Sequence, residues 1–155
     1  MKGTEFKDFI LKLKRGDVIV VTCTEKQKCI MYLGGGKVIY YSKKEGLKEK
    51  TINKYYKEKY EINVYRLISG LKKSEIVKTA IKKLNEKDKF FEISITIIDL
   101  WFKITLRFKS KGEKTAQYIA YLFEKTGANV SDFKSYYQFT PAEFSKSYYF
   151  QEKFV

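Results

Sequence analysis

The chain has 155 residues and a net charge of +14, which comes from 29 lysines and three arginines set against 18 acidic residues. Since it contains no histidine and only two cysteines, catalysis by a Cys-His or Ser-His pair, acid–base chemistry by histidine and a closed zinc site are excluded. A chain of this length buries about 68–70% of its unfolded surface, and we expect one domain spanning residues 1–155.

The first predicted element is an amphipathic helix, Thr4–Arg15. Apolar residues recur in it at helical spacing, Thr4 is a suitable N-cap and Gly16 is a suitable stop. The residues of the apolar stripe are Phe6, Phe9, Ile10 and Leu13.

A three-stranded antiparallel meander, residues 17–42, is predicted next. Its strands are Val18–Thr22, Cys29–Leu33 and Lys37–Tyr41, which are rich in β-branched and aromatic residues. The polar stretch Thr24–Lys28 is predicted to be a solvated connection. Gly34–Gly36 predicts a tight reversal, because glycine adopts positive φ without steric cost.

The middle of the chain begins with a highly charged segment, Lys43–Tyr60, in which Thr51–Tyr60 is compatible with a short helix. Inward residues of that helix would be Ile52, Tyr55 and Tyr56. A fourth strand is predicted at residues 62–68, and Ser74 is predicted to cap a helix that runs to about Lys87. The apolar face of this helix comprises Ile76, Val77, Ala80, Ile81 and Leu84.

Phe90–Phe108 has two interpretations. Ile93–Ile97 alternates as a strand does, whereas the polar residues of the whole segment recur at helical spacing. We favour a helix from about Ile95. Its apolar face is predicted to be core, and contact of residues 93–108 with a membrane surface or a partner is the alternative. That face comprises Ile93, Ile97, Leu100, Trp101, Ile104 and Phe108.

The C-terminal third predicts two helices and a strand. Glu113–Thr126 is predicted to be a helix that Gly127 ends, and Thr140–Glu143 is a capping-box pattern with proline at the first helical position. Tyr148–Val155 is predicted to be the final strand. The inward residues of the longer helix are Ala116, Ile119, Ala120 and Phe123.

These elements predict an α+β fold, in which an antiparallel sheet (the meander 17–42 and the strand 62–68) packs against helices. Cys23 and Cys29 are expected to be buried free thiols. Neither an apolar leader nor a run of about 20 uncharged apolar residues is found. We therefore expect an intracellular protein, in the host cytoplasm or a virion if viral, that is neither secreted nor transmembrane.

Several segments together resemble the NlpC-type cysteine peptidases, in the circularly permuted papain-like branch that includes the YiiX/YycO-like proteins and the lecithin retinol acyltransferase relatives. The first is Gly16-Asp17 at the start of a strand, and the second is the run Tyr32–Ile39 through the glycine turn. Later come Lys89–Glu92, where relatives carry a Tyr-Asp pair, Phe123–Gly127 in place of "FEKAG", and Thr140–Phe144 in place of a "TPxxL/F" turn. The resemblance implies a permuted papain-like fold over nearly the whole chain.

The resemblance also implies where a catalytic site would lie. Thr115 stands at the position of the catalytic cysteine, Lys28 at that of the histidine, and Tyr40 at that of the third, polar residue. The chemistry of the family needs a thiolate activated by an imidazole. A threonine hydroxyl and an exposed, protonated lysine do not supply it, so we expect Thr115 to be a helix N-cap and Lys28 a solvated strand end.

The resulting prediction is a catalytically inactive NlpC-like domain with a binding or structural role. Large DNA viruses carry relatives of this family, and a chain rich in Lys, Ile, Tyr and Phe suits an AT-rich genome, so a virion component is one expected setting. A hydrolase or acyltransferase that uses Thr115 with Lys28 is the first alternative, and a basic nucleic-acid-binding module is the second. The charge predicts an acidic protein surface or assembly neighbours as partners, unless it reflects codon bias alone. No cofactor and no metal is expected.

Overall fold

The computed structural model describes residues 3–24, 26–42, 45–55, 60–68, 73–86, 91, 97, 100, 113–127, 136 and 139–153. Its strands are β1 (Val18–Cys23), β2 (Lys26–Gly34), β3 (Lys37–Ser42), β4 (Gly46–Thr51), β5 (Glu61–Leu67) and β6 (Phe150–Lys153). Its helices are α1 (Gly3–Lys12), α2 (Lys73–Glu86), α3 (Lys114–Lys125) and α4 (Glu143–Lys146), and Ile52–Tyr55 forms a 3-10 turn.

The strands form one antiparallel sheet in the order β4-β3-β2-β1-β5-β6. The apolar residues Val18–Val21 lie in the central strand β1 and are buried on both faces of the sheet. This arrangement confirms the predicted α+β class, with the meander and the strand at 62–68 in one sheet that packs against helices.

Each face of the sheet has its own hydrophobic core. On one side, which we call the α1 face, Phe9 and Leu13 of α1 pack over Ile19 and Val21. On the other side, the α3 face, residues of α2 and α3 pack over Val18 and Val20. Since successive side chains of a strand point to opposite faces, the two cores identify the face to which each strand residue belongs.

The helix α1 is confirmed, but it ends at Lys12 and not at Arg15. The backbone amide of Lys14 donates to Asp17 Oδ2 at 2.8 Å, and Gly16 has a φ of 84°. These contacts turn the chain out of the helix before the predicted end and carry it into β1.

The predicted solvated connection Thr24–Lys28 is wrong, because β2 already begins at Lys26. Cys23 pairs with Lys26, which leaves a two-residue hairpin loop, and Thr24 has a φ of 55°. Positive φ at the loop residues is typical of the tight hairpin turns that match the twist of the strands. Polar residues in this part of β2 do not prevent strand formation, because they are exposed.

The sequence did not predict β4, which lies in the highly charged segment. It is an edge strand with exposed Lys48 and Glu49, and Glu49 forms a 2.9 Å ion pair with Lys37 of β3. Charged side chains are common on edge strands, where they oppose pairing with other chains. Within the predicted helix Thr51–Tyr60, Thr51 belongs to β4, and Ile52–Tyr55 forms a 3-10 turn with Ile52 buried and Tyr55 half-buried. Residues 56–59, which include the predicted inward residue Tyr56, lie outside the described residues.

The C-terminal predictions are confirmed in outline and corrected at their ends. The predicted inward residues of α3 are all buried, and Gly127 has a φ of 85° after its last turn. In α2, Ile76, Val77 and Ala80 are buried, whereas Ile81 is 41% exposed.

The capping box at Thr140–Glu143 is wrong in detail, because α4 begins at Glu143 and its N-cap, Ala142, makes no side-chain capping bond. The final strand begins later than predicted, at Phe150 and not at Tyr148, and it is described as far as Lys153. Residues 154 and 155 lie outside the described residues.

In the ambiguous segment 90–108, Phe91, Ile97 and Leu100 are the described residues, and each has a helical conformation. Phe91 is fully buried, but Ile97 and Leu100 are 60% and 57% exposed, so the prediction that these two are core is wrong. The remaining predictions for this segment lie outside the described residues. Of the helices that the structure describes, none has the length and apolar character needed to cross a membrane.

Candidate functional site

The candidate site lies where β2 and β3 separate. The two strands pair through Met31 and Ile39, and the same register would place Cys29 opposite Tyr41. The pairing of β2 with β3 does not extend as far as Cys29 and Tyr41. The N-terminus of α3 occupies the space between the two strands instead, so side chains replace part of the backbone ladder.

Thr115 bridges this gap from the second position of α3. Its Oγ1 accepts a hydrogen bond from the backbone amide of Tyr41 at 3.1 Å and lies 3.2 Å from the Tyr41 carbonyl oxygen, to which it donates. The side chain is buried, with 2% of the residue exposed. The hydroxyl therefore satisfies the two backbone groups of Tyr41 that Cys29 would otherwise have paired.

Glu113 is the N-cap of α3, so the expectation that Thr115 is the cap is wrong. The Glu113 carboxylate accepts a hydrogen bond from the Ala116 amide at 2.8 Å. Burial raises the pKa of Glu113, while hydrogen bonds from the backbone of Ala116, from the backbone and side chain of Thr115 and from the backbone of Cys29 act in the opposite direction. A carboxylate at a helix N-terminus also interacts favourably with the helix dipole.

Cys29 and Cys23 are free, as predicted, but only Cys29 is buried. Burial raises the pKa of the Cys29 thiol well above its ordinary value, and the charge of Glu113 raises it further. Thiols in such surroundings are poor nucleophiles because the thiolate is the reactive form.

A cavity of about 740 Å³ opens from this gap. Thr115, Glu113 and Cys29 line its inner end, and the tyrosines Tyr40, Tyr55 and Tyr60 line its wall. Among the described residues, the remaining charged lining consists of the lysines Lys26, Lys28, Lys50 and Lys54.

The lysines differ in their surroundings. The ammonium of Lys50 lies 4.3 Å from the centroid of the Tyr40 ring, and its pKa is raised, chiefly by a hydrogen bond with Tyr40. The Tyr40 hydroxyl in turn donates to Glu45 Oε2 at 2.8 Å. Within the described part of the chain, Lys26, Lys28 and Lys54 form no ion pair with a carboxylate.

The tyrosine wall is partly desolvated. Tyr55 packs against Tyr40 with ring centroids 6.2 Å apart. Burial, followed by the charge effects of its neighbours, raises the pKa of Tyr55 to about 12. Tyr55 therefore remains a neutral hydrogen-bonding group at physiological pH.

The three predicted site residues line one cavity, but they do not share one face of the sheet. Lys28 pairs with Val21, which belongs to the α1-face core, and Tyr40 belongs to the same core. The helix that carries Thr115 packs on the α3 face. Lys28 is exposed, as predicted for a solvated strand end.

The polar groups at the base of the cavity are committed to structural hydrogen bonds, and lysines line its wall. The Thr115 hydroxyl bonds to backbone, and the adjacent acid is committed to capping α3. No group of three Cys, Asp or Glu side chains suited to a metal ion is found among the described residues.

Sequence reasoning missed Glu113, Lys26, Lys50 and Lys54. An acidic residue at the first position of the predicted helix Glu113–Thr126 was an available signal for Glu113, although Ser, Thr, Asp and Asn are the usual caps. Nothing in the sequence distinguishes the three lysines from the other lysines of the chain, because their proximity depends on how β2, β3 and β4 are arranged.

Comparisons of the chain with protein-family models, with curated proteins and with solved structures find no match. The resemblance to the permuted papain-like NlpC proteins therefore stays a prediction from the sequence.

Proposed function

We propose that this chain is a catalytically inactive, papain-like domain of the NlpC type, and that its cleft binds an acidic segment of a partner protein. The observation that carries the proposal is the set of residues in the cleft. At its base, the Thr115 hydroxyl bonds to both the amide and the carbonyl of Tyr41, and four lysines line the cavity. An assembly neighbour, as in a virus particle, is one setting for such a partner.

The loss of catalysis follows from the chemistry of the two residues. A threonine hydroxyl has a very high pKa and needs a general base, whose help is worth about 10²–10⁴-fold in rate. Lys28 is exposed and belongs to the α1 face. An exposed lysine is protonated at neutral pH and has no lone pair to accept the proton.

The preference for an acidic partner follows from local charge. Four ammonium groups around one concave site attract anions, and three of them form no ion pair with a carboxylate of the described residues. Such a site speeds association with an acidic surface and disfavours basic ones. The interaction should weaken as salt screens the charges.

A charge-matched pair of variants tests the binding role. The double variant Lys28→Gln/Lys54→Gln removes two charges from the cavity, and Lys7→Gln/Lys78→Gln removes two exposed charges from α1 and α2. With a fluorescein-labelled peptide of seven alternating Glu and Val residues as probe, we expect the first variant to weaken binding about tenfold, or about 1.4 kcal/mol. The second should change it less than about twofold. Equal losses in both variants would show that only net charge matters and would refute the cleft.

An activity assay tests the other half of the proposal. The unaltered protein should not hydrolyse peptide, amide or ester substrates, nor should hydroxyl-directed probes label Thr115. Turnover that disappears in Thr115→Ala but persists in Thr115→Ser would refute the pseudoenzyme and support the hydrolase alternative.

A further inference from the structure

We propose that the acidic partner segment binds as an extended strand, by adding to the free edge of β2 at Gln27. This inference rests on the proposed function, because it specifies how the same cleft holds its ligand. It makes the partner a polypeptide, since only a polypeptide backbone offers the alternating N–H and C=O groups that a strand edge pairs with.

The hydrogen-bond pattern identifies the free edge. In an antiparallel pair, opposite residues alternate between those that exchange backbone hydrogen bonds and those that do not. The backbone amide of Tyr32 donates to the Asp17 carbonyl, and the Tyr32 carbonyl accepts from the Gly16 amide, just before β1 begins. The register of β1 with β2 then places Ile30 and Lys28 among the bonded residues and Cys29 and Gln27 among the others.

The backbone N–H and C=O of Gln27 therefore point away from β1, towards the gap that β3 would fill. Among the residues that the structure describes, none pairs with Gln27 on that side, and the pairing of β2 with β3 ends at Met31 and Ile39. Next to Gln27, the Cys29 amide bonds to Glu113. On the facing strand, β3, the Thr115 hydroxyl already bonds to the amide and carbonyl of Tyr41. The edge that accepts a strand is therefore that of β2.

Charge complementarity specifies the incoming sequence. Lys26 and Lys28 flank Gln27 and, being two residues apart, lie on one face of the strand. Both line the cavity, as do Lys50 and Lys54 from the opposite wall. An added strand with an acidic residue at every second position would place its carboxylates on this lysine face, at a repeat of about 6.6–6.8 Å.

A matched pair of variants at one residue tests the proposal. Gln27→Pro removes the edge N–H, whereas Gln27→Ala removes the same side chain and keeps the N–H. Because Gln27 does not bond to β1, proline here leaves the β1–β2 hydrogen bonds intact, as on an edge strand. With the Glu/Val peptide as probe, we expect Gln27→Pro to bind at least about tenfold more weakly than Gln27→Ala. Equal affinity of the two variants would overturn the strand addition.

A measurement on the unaltered protein covers the case in which the proline variant does not fold. The same peptide with N-methyl groups on every second amide loses one row of donors, and the peptide methylated in the other register loses the opposite row. We expect one of the two to lose at least about tenfold in affinity and the other to bind nearly as well as the parent. Equal binding of both would overturn strand addition.

The outcomes also separate the two proposals. If the parent peptide does not bind the unaltered protein at low salt, the proposed function fails. If it binds without sensitivity to Gln27→Pro or to methylation, only the strand addition fails. If an oligothymidylate of twelve nucleotides displaces the peptide and binds more tightly, the cleft is a nucleic-acid site and the strand addition is overturned.

Discussion

The two ends of the β2–β3 pair are held together in different ways. At the closed end, next to the glycine turn, a backbone ladder joins Tyr32 to Val38 and Gly34 to Lys37. Beside it, Arg66 holds the buried Asp17 through bonds of 2.9 and 2.7 Å. At the open end, the ladder is replaced by the side chains of Thr115 and Glu113.

The difference shows which end of the strand pair is available for function. At the closed end, Asp17 and Arg66 already have hydrogen-bond partners. The Asp17 carboxylate accepts bonds from Arg66 and from the Lys14 amide, and the Arg66 guanidinium also donates to the Lys12 carbonyl. At the open end, the same strand β2 has a backbone edge and exposed lysines beside a cavity. The closed end is therefore held by ion-pair and backbone hydrogen bonds, whereas the open end has a backbone edge and exposed lysines.

The closed end offers the largest expected effect. Arg66→Met leaves the Asp17 carboxylate buried without its cation, and we expect the free energy of unfolding to fall by about 3 kcal/mol or more. Lys37→Met breaks the exposed ion pair with Glu49 at the same end and should cost about 0–1 kcal/mol. Urea unfolding of both variants measures this contrast. If the two variants lose similar amounts of unfolding free energy, the Asp17–Arg66 ion pair does not stabilise the closed end more than the exposed ion pair does.

The open end should lose less, because it depends on neutral hydrogen bonds. Thr115→Val keeps the shape of the side chain but removes the two hydrogen bonds between its hydroxyl and the Tyr41 backbone, which we expect to cost about 1–3 kcal/mol. Thr115→Ser keeps the hydroxyl and should retain most of the stability. Thermal and urea unfolding of the two variants provide the measurement, and a valine variant as stable as the serine variant would contradict the bridging role.

The smallest effect is a pH dependence at the open end. The pKa of Glu113 is raised in the folded protein, chiefly by burial, so the folded state holds the proton more tightly than the unfolded state. The free energy of unfolding then falls as pH rises from the ordinary pKa of a glutamate through the raised value. Glu113→Gln removes this dependence. Over that pH range the unaltered protein loses stability and the variant does not. The free energy of unfolding of the variant should therefore rise relative to that of the unaltered protein. A difference that stays constant with pH would show that burial does not perturb Glu113.

The sequence predicted the elements whose apolar pattern was clear. The stripe of α1, the strands of the meander and the inward face of α3 are all found, because periodic burial is encoded residue by residue. It failed at β4, where charged side chains hide an edge strand, and at Thr24–Lys28, where a tight turn extends a strand into polar residues.

The three residues that the sequence grouped line one cavity, but the sequence did not predict the contacts found there. Thr115 lies at the start of a helix that packs on β2 and β3, and it shares a cavity with Lys28 and Tyr40. Its bonds to Tyr41 could not be predicted, since they depend on where two strands separate. The same is true of the lysine lining, which β2, β4 and the 3-10 turn bring together from distant parts of the chain.

Amide hydrogen exchange at Tyr41 tests the central claim most directly, namely that the Thr115 hydroxyl replaces a missing strand contact. Exchange would be followed by NMR in the unaltered protein, in Thr115→Ser and in Thr115→Val, with the Ile39 amide in the intact part of the strand pair as internal reference. The account predicts that the Tyr41 amide is protected in the first two proteins and exchanges at least about tenfold faster, relative to Ile39, in the valine variant. Equal protection of Tyr41 in all three proteins would show that the hydroxyl does not hold β3, and would contradict the account.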